Sequence, residues 1–417
     1  MLTRAEPRAQ NQSQPRFIPV EPHRPGRDSE PIDPTEPAGR ALAKGSARRR
    51  NAAAAWREAS DFAPLEPSDI LNQRRAGRDD TIHAPRFSAW DFRLATALYF
   101  LFWRKRELWN YSFNFGEVGA RYIRRLFGKR RLQKFERLRR GETSFLVVRG
   151  LPTASFAFPF PARHSALHDG VDPRRFRHFD MIVAGLLFHA GAEVRRRYQN
   201  AAAPIVRTLL SAPTEPQVGD RDGSDMNLRF HQSTVEKGLP DPSLPAAGED
   251  TCTIKAYAAV RNRRRIPIYV LPLKDVLAQI AGEDFDWLTG QLMRPVYYKV
   301  GPHFDNNDTA VMAEGQPVLR RGEGDDWVMS YDPDRVSSED ENAKRALRKL
   351  RGAIMRARKS AIEVVLDRRD VLIVDNLRAM VARREYYPFR TSEALRAAFF
   401  KKPRWMRLYY GFPLPRS

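Results

Sequence analysis

Between Ser144 and the C-terminus the apolar residues fall mostly into short unbroken runs. Phe145-Leu-Val-Val148, Thr253–Val260, Ile266–Leu271, Ile362–Leu366 and Val371-Leu-Ile-Val374 are the clearest. Runs this short, rich in β-branched residues and closed by Gly, Pro, Asp or Asn, read as strands covered on both faces. Asn227–His231, Trp327–Tyr331 and Met406–Tyr410 read the same way. Two stretches depart from the pattern. Leu273–Ala281 predicts a short helix. Ala343–Arg358 predicts a longer one, with Ala346, Leu347, Leu350 and Ile354 on one face and Arg and Lys on the other. Many short strands, few helices and no internal repeat predict an α+β protein: a double-stranded β-helix, or jelly-roll, core over residues 144–417 with helices flanking it.

The N-terminal part is of a different kind. Residues 1–80 hold ten of the 31 prolines, with 14 basic and 12 acidic residues and few periodic apolar positions. Such a stretch buries too little apolar surface to offset its ordering entropy. The expectation is a disordered extension carrying a short helix around Ala52–Ala59. Residues 1–80 contribute only +2, so +20 of the net charge of +22 belongs to the rest of the chain.

Residues 81–143 read as a basic, mostly helical segment packed on the core. Val118, Tyr122, Leu126, Leu132, Phe135 and Leu138 recur near helical spacing. Between Arg104 and Arg140 there are 13 Lys and Arg against 3 Asp and Glu. Aromatic residues run through this cluster, from Trp103 and Trp109 to Phe135. The favoured reading is an aromatic core face with a solvated basic face. A protein partner or an anionic membrane surface contacting residues 95–140 comes next, and nucleic acid is the least favoured.

Ala95–Trp103, the longest strongly apolar stretch, has nine residues, and spanning a bilayer takes about 20. The first residues carry no apolar signal core, so the expectation is a cytoplasmic protein with no transmembrane span. Cys252 is the only cysteine, which rules out an internal disulfide framework and a Cys-rich zinc module.

One segment is more specific. Asp370-Val-Leu-Ile-Val-Asp-Asn-Leu-Arg378, together with Arg404-Trp405, resembles the C-terminal signature of the iron(II)/2-oxoglutarate oxygenases of the clavaminate synthase-like and taurine dioxygenase-like group. Other segments agree in order. Ser144–Pro152 resembles the early strand that ends in a Gly-Leu-Pro turn, and Leu228-Arg-Phe-His231 the strand carrying the first metal histidine. Asp332–Leu366 resembles the helix and strand before the Asp-Asn motif. The resemblance covers roughly residues 110–417.

The resemblance implies a non-haem iron held by two histidines and one carboxylate on one face. Carried over by position, the first histidine is His231. Two residues on, where the carboxylate belongs, stands Ser233. Where the distal histidine belongs, after Asp375-Asn-Leu-Arg-Ala-Met, stands Val381, and the chain has no histidine beyond His303. A hydroxyl is a poor iron ligand and an alkyl group is none.

The resemblance also makes Arg404 the clamp for the carboxylate of 2-oxoglutarate, a task that suits the guanidinium fork. The family's helper threonine has no counterpart at Ile266–Tyr269. His303-Phe-Asp305 has the spelling of a metal pair and could join His231 in a rearranged triad or line a substrate pocket. Turn chemistry explains Asp305-Asn-Asn-Asp308 equally. Ser233, His303, Asp305 and Asn376 are the candidate pocket residues.

Two functions remain open on this reading. One is a tailoring oxidoreductase acting on a small, amino-acid-like molecule with 2-oxoglutarate and, if it works here, Fe(II). The other is a non-catalytic pseudoenzyme that keeps the cup to bind an acidic ligand or a protein partner.

Overall fold

A computed structural model describes residues 74–85, 113–151, 177–195, 206–210, 228–240, 251–262, 265–280, 282–300, 312–322, 326–383 and 405–414. All belong to one compact unit, Pro64–Ser417. The expected helix near Ala52–Ala59 lies outside the described residues, as does the apolar run Ala95–Trp103.

In chain order the elements are β1 (Arg74–Arg75), β2 (Thr81–His83), α1 (Phe113–Arg139), β3 (Phe145–Arg149), α2 (Arg177–His189), β4 (Ala192–Val194), β5 (Val206–Leu210) and β6 (Leu228–His231). The second half holds β7 (Ile254–Arg261), β8 (Ile268–Pro272), α3 (Leu273–Leu277), α4 (Gly282–Leu292), β9 (Tyr297–Val300), β10 (Met312–Gln316), β11 (Leu319–Arg321) and β12 (Trp327–Met329). It closes with β13 (Val336–Ser337), α5 (Glu341–Ala357), β14 (Ile362–Val364), β15 (Val371–Asp375), β16 (Ala379–Arg383) and β17 (Trp405–Pro413).

Two sheets carry the fold. One runs β2-β3-β15-β7-β17-β4, with β5 also on β17; the other runs β1-β14-β8-β16-β6. Pairing is antiparallel except for β1 on β14 and β2 on β3. The strands alternate as a pleat requires. In β15, Val371 and Ile373 pack outward against α1 and α2 residues such as Ile123, Phe135 and Leu187. Leu372 and Val374 pack inward with Val270 and Val381 of the second sheet. Across that second sheet, Tyr269, Leu271 and Met380 meet Leu288 of α4 and Ala346, Leu350 and Ile354 of α5. The result is helices, sheet, sheet, helices, the jelly-roll arrangement expected. Strands with both faces covered have no solvent side, which is why their sequences are unbroken apolar runs.

The helix at the second sheet starts at Glu341, two residues earlier than expected. Asp340 caps it by accepting from the Ala343 N–H at 2.8 Å, a bond that contributes about 1 kcal/mol. On the other side, α1 and α2 cross at Gly119 and Gly185, where a Cβ on either would overlap the other helix's backbone. Along α1, Tyr122, Phe127, Phe135 and Leu138 are buried while Arg121, Arg124, Arg125, Arg130 and Arg131 are exposed. That is an aromatic core face and a solvated basic face. Asp180 of α2 meets the sheet through a fully buried ion pair. Arg407 Nε and Nη2 donate to its oxygens at 2.7 and 2.5 Å, and the Tyr409 hydroxyl donates at 2.6 Å.

Several local expectations need correction. Residues 74–83 are not part of a disordered extension or a helical segment. Arg74–Arg75 pairs with Ile362 and Glu363, and Thr81–His83 pairs beside Val147–Arg149. The helix expected over Leu273–Ala281 ends at Leu277, and α4 follows it at once. Helix α2 was not anticipated, because its apolar residues cover more than one face and so give no clean period. No helix among the described residues is long and apolar enough to cross a membrane.

Candidate functional site

The Asp-Asn motif builds the corner where the chain leaves one sheet for the other. Asp375, the last residue of β15, accepts from the N–H groups of Leu377 and Arg378 at 2.9 and 3.1 Å and from Arg378 Nη1 at 3.0 Å. These bonds fold residues 375–378 into a tight turn, and β16 begins directly after it. Burial holds the Asp375 carboxyl above the usual carboxylate range, with the Arg378 guanidinium opposing that shift. Arg378 also pairs with Asp326.

The crossing places β16 between β8 and β6, with Val381 directly opposite His231. Both side chains face the space between the sheets, since Met380 and Phe230, their sequence neighbours, lie in the cluster on the far side. The two positions that the sequence comparison pairs as first and distal ligands are thus cross-strand neighbours.

Asn376 holds the other side of the site in place. Its Oδ1 accepts from the Ser233 N–H at 3.0 Å, and its Nδ2 donates to the carbonyls of Ser233 and Cys252, both at 2.9 Å. Gln232 Nε2 donates to the Asn376 carbonyl at 2.6 Å, while Gln232 exchanges bonds with the backbone of Tyr331. Immediately beyond, Thr234 sits at φ 58°, a conformation costly for a β-branched residue. Its hydroxyl donates to the Ser233 carbonyl at 2.6 Å. Ser233 is therefore fixed by its backbone on both sides. The Asn376 side chain bonds main chain at all three of these contacts.

His231 Nδ1 lies 2.9 Å from the Arg229 carbonyl. A carbonyl only accepts, so Nδ1 is the donor in this contact, which fixes the orientation of the ring.

Lys255 is the residue that sequence reasoning missed. It lies on β7, a central strand, with 1% of its surface exposed. Its Nζ donates to Ser233 Oγ at 2.6 Å and lies 4.8 Å from the ring centre of Tyr257 and 5.8 Å from that of Tyr410. Aromatic faces at these distances stabilise a desolvated ammonium by roughly 1–2 kcal/mol each. The available signal was a lysine interrupting the apolar run Ile254–Val260, whose other residues leave no solvent face.

No protein-family model matches the chain, and no curated protein matches it. Solved structures do. The asparagine oxygenase solved with Fe(II), 2S,3S-3-hydroxyasparagine and succinate matches with a TM-score of 0.56 over 80% of this chain and 93% of its own, at 15% identity. This chain has the fold of the iron(II)/2-oxoglutarate oxygenases. The non-heme iron oxygenase OrfP with Fe and alpha-ketoglutaric acid matches at 0.54 over 79% and 93%, at 19% identity. OrfP with Fe and L-canavanine matches at 0.55 over 80% and 93%, at 18% identity.

The residues in the cup do not fit the iron that those structures hold. His231 offers one imidazole, Val381 offers no donor, and Ser233 Oγ already accepts from an ammonium. Among the described residues, no three His, Cys, Asp or Glu side chains converge on a point. His303, Asp305 and Arg404 lie outside the described residues.

Proposed function

We propose that this is an oxygenase-fold binding protein that takes a small acidic or amino-acid-like molecule into the cup between its sheets without turning it over through iron. The observation that carries the reading is the set of four residues facing the space between the sheets. Val381 stands opposite His231, and Ser233, in the carboxylate's place, is engaged by the Lys255 ammonium. An acidic ligand suits a cup whose centre is cationic, and the resemblance adds Arg404 as a second anchor for a carboxylate. Asn376 acts here as a positioning residue for Ser233, and Ser233 as a pocket residue.

The test uses the full chain. It is loaded with ferrous iron and 2-oxoglutarate without oxygen, then exposed to air, and succinate and bound metal are measured. Calorimetry with 2-oxoglutarate, succinate and asparagine reads binding. The expected result is binding of at least one of these acids with no succinate above an iron-free control. Stoichiometric iron and iron-dependent succinate would overturn the reading. If His303→Ala and Asp305→Ala then abolished that turnover, the protein would be a tailoring oxygenase with a rearranged ligand set.

A further inference from the structure

Helix α1 lies on the outer face of the first sheet, away from the cup. Its side chains Tyr122, Phe127, Phe135 and Leu138 are buried, which leaves the opposite face to solvent. That face is charged in one sign. Between Arg124 and Arg131 it carries Arg124, Arg125, Lys129, Arg130 and Arg131, with no Asp or Glu, and all five are exposed. A break at Gly128, with φ 65°, divides them into a pair and a triplet. The nearby carboxylates are engaged at the ends of the helix. Glu117 pairs with Arg121, Glu136 with Arg139, and Glu142 with Arg137 and Arg140. Among the described residues no carboxylate pairs with any of the five. Arg131 Nη1 donates to the Phe127 carbonyl at 3.3 Å, a bond that leaves its charge unanswered.

The density of this charge points to a partner. A helix rises about 1.5 Å per residue, so five cations over seven steps amount to about one per 2 Å of axis. Duplex nucleic acid presents one phosphate charge per about 1.7 Å. Four of the five are arginines, whose planar fork takes two phosphate oxygens at once. The face offers no apolar anchor. Among the described residues the one large apolar side chain that is exposed is Met293, just past α4. A protein interface is centred on buried aromatic or aliphatic anchors. A helix that inserts into a bilayer turns its apolar face to lipid, and here that face is against the sheet. The rings of Tyr122, Phe127 and Phe135, being buried, cannot stack on single-stranded bases.

We propose that the outward face of α1, centred on Arg124–Arg131, binds the phosphate backbone of duplex nucleic acid without reading its sequence. The five side chains take phosphate oxygens and displace condensed counterions. The cup contributes nothing to this surface, so the proposal stands apart from the iron-free reading.

The test titrates the full chain into duplex DNA of two unrelated sequences, into duplex RNA, and onto phosphatidylcholine vesicles with and without phosphatidylserine. The native chain should bind the two DNA sequences alike. Its log affinity should fall against log salt with a slope of about −4 to −5, five phosphates at about 0.9 each. Arg124→Gln/Arg125→Gln/Lys129→Gln/Arg130→Gln should bind at least about tenfold more weakly, with the slope reduced by about 3–4. Lys274→Gln/Arg348→Gln/Arg356→Gln/Lys359→Gln removes as many exposed charges at the second sheet's helices and should stay within about threefold of the native chain. Binding to duplex DNA, duplex RNA or both through this face satisfies the proposal. No duplex binding at about 0.05 M salt, equal losses in the two variants, or an unchanged slope in the first would overturn it. So would capture by phosphatidylserine vesicles without duplex binding, which would make the face a lipid surface.

Circular dichroism and the urea midpoint check that the variants fold. Should the first fail, the native chain supplies a second measurement. Bound duplex should shield Lys129 from acetic anhydride while Lys274 and Lys359 stay reactive. Equal labelling of Lys129 with and without duplex would overturn the proposal.

Discussion

Asn376→Ala isolates the element that fixes the floor of the cup. The substitution takes a partner from three buried backbone groups, the Ser233 N–H and the carbonyls of Ser233 and Cys252, of which the Ser233 carbonyl keeps the Thr234 hydroxyl. An orphaned buried polar group costs about 1–3 kcal/mol. The space left by the amide admits some relief by water, so the expected loss is about 2–4 kcal/mol, a large share of a typical domain's 5–15 kcal/mol. The Gln232 bond goes to the main-chain oxygen and survives. Urea unfolding of the full chain should show a lower midpoint with an unchanged slope.

Asn376→Asp adds a control with the same shape. It keeps an acceptor for the Ser233 N–H but turns a carboxylate oxygen toward two carbonyls. Burial and that repulsion raise the new carboxyl's folded pKa above its unfolded value. The folded state then binds the proton more tightly, so stability returns as pH falls and is lost as pH rises through the folded pKa. A loss below about 1 kcal/mol for Asn376→Ala would refute the view that this side chain organises the site.

Three further substitutions test buried charge elsewhere. Burial pushes Lys299 down to about 7, Arg320 adding to the shift and Glu236 opposing it. The unfolded chain therefore holds the extra proton between about pH 7 and the ordinary 10.5, and stability rises with pH across that window by up to about 1.4 kcal/mol per unit. Lys299→Met should flatten that slope in melting temperatures measured from pH 7 to 10; parallel slopes would sink the argument. Asp180→Ala strands the buried Arg407 guanidinium and should cost about 3–5 kcal/mol, against about 1 kcal/mol for Tyr409→Phe. Urea midpoints showing the reverse order would mean that the ion pair does not tie α2 to the sheet.

The departures from the oxygenase pattern were legible because they follow from counting. Ser233 is two residues past His231, and Val381 lies at a set distance beyond Asp375-Asn376, whatever the chain does in three dimensions. The double-sheet class was legible for a similar reason. Runs such as Val371–Val374 have no polar face, so they fit only a strand covered twice. The two-residue β1, the strand at Thr81–His83 and helix α2 were not legible. Each is held by neighbours distant in sequence, through Ile362, Val147 and Arg407, rather than by any local period.

By itself the sequence determined the double-sheet class and set Ser233 and Val381 where the resemblance places two ligands, because each depends on residue type and spacing along the chain. Only the tertiary structure decided that Lys255 meets Ser233. Along the chain Lys255 is a lysine interrupting an apolar run, a signal of burial that does not say which segments cover it. It is buried because β15 and β17 flank β7 and a second sheet covers its inner face. A strand residue's burial depends on whether distant segments cover that face, and no local pattern records it.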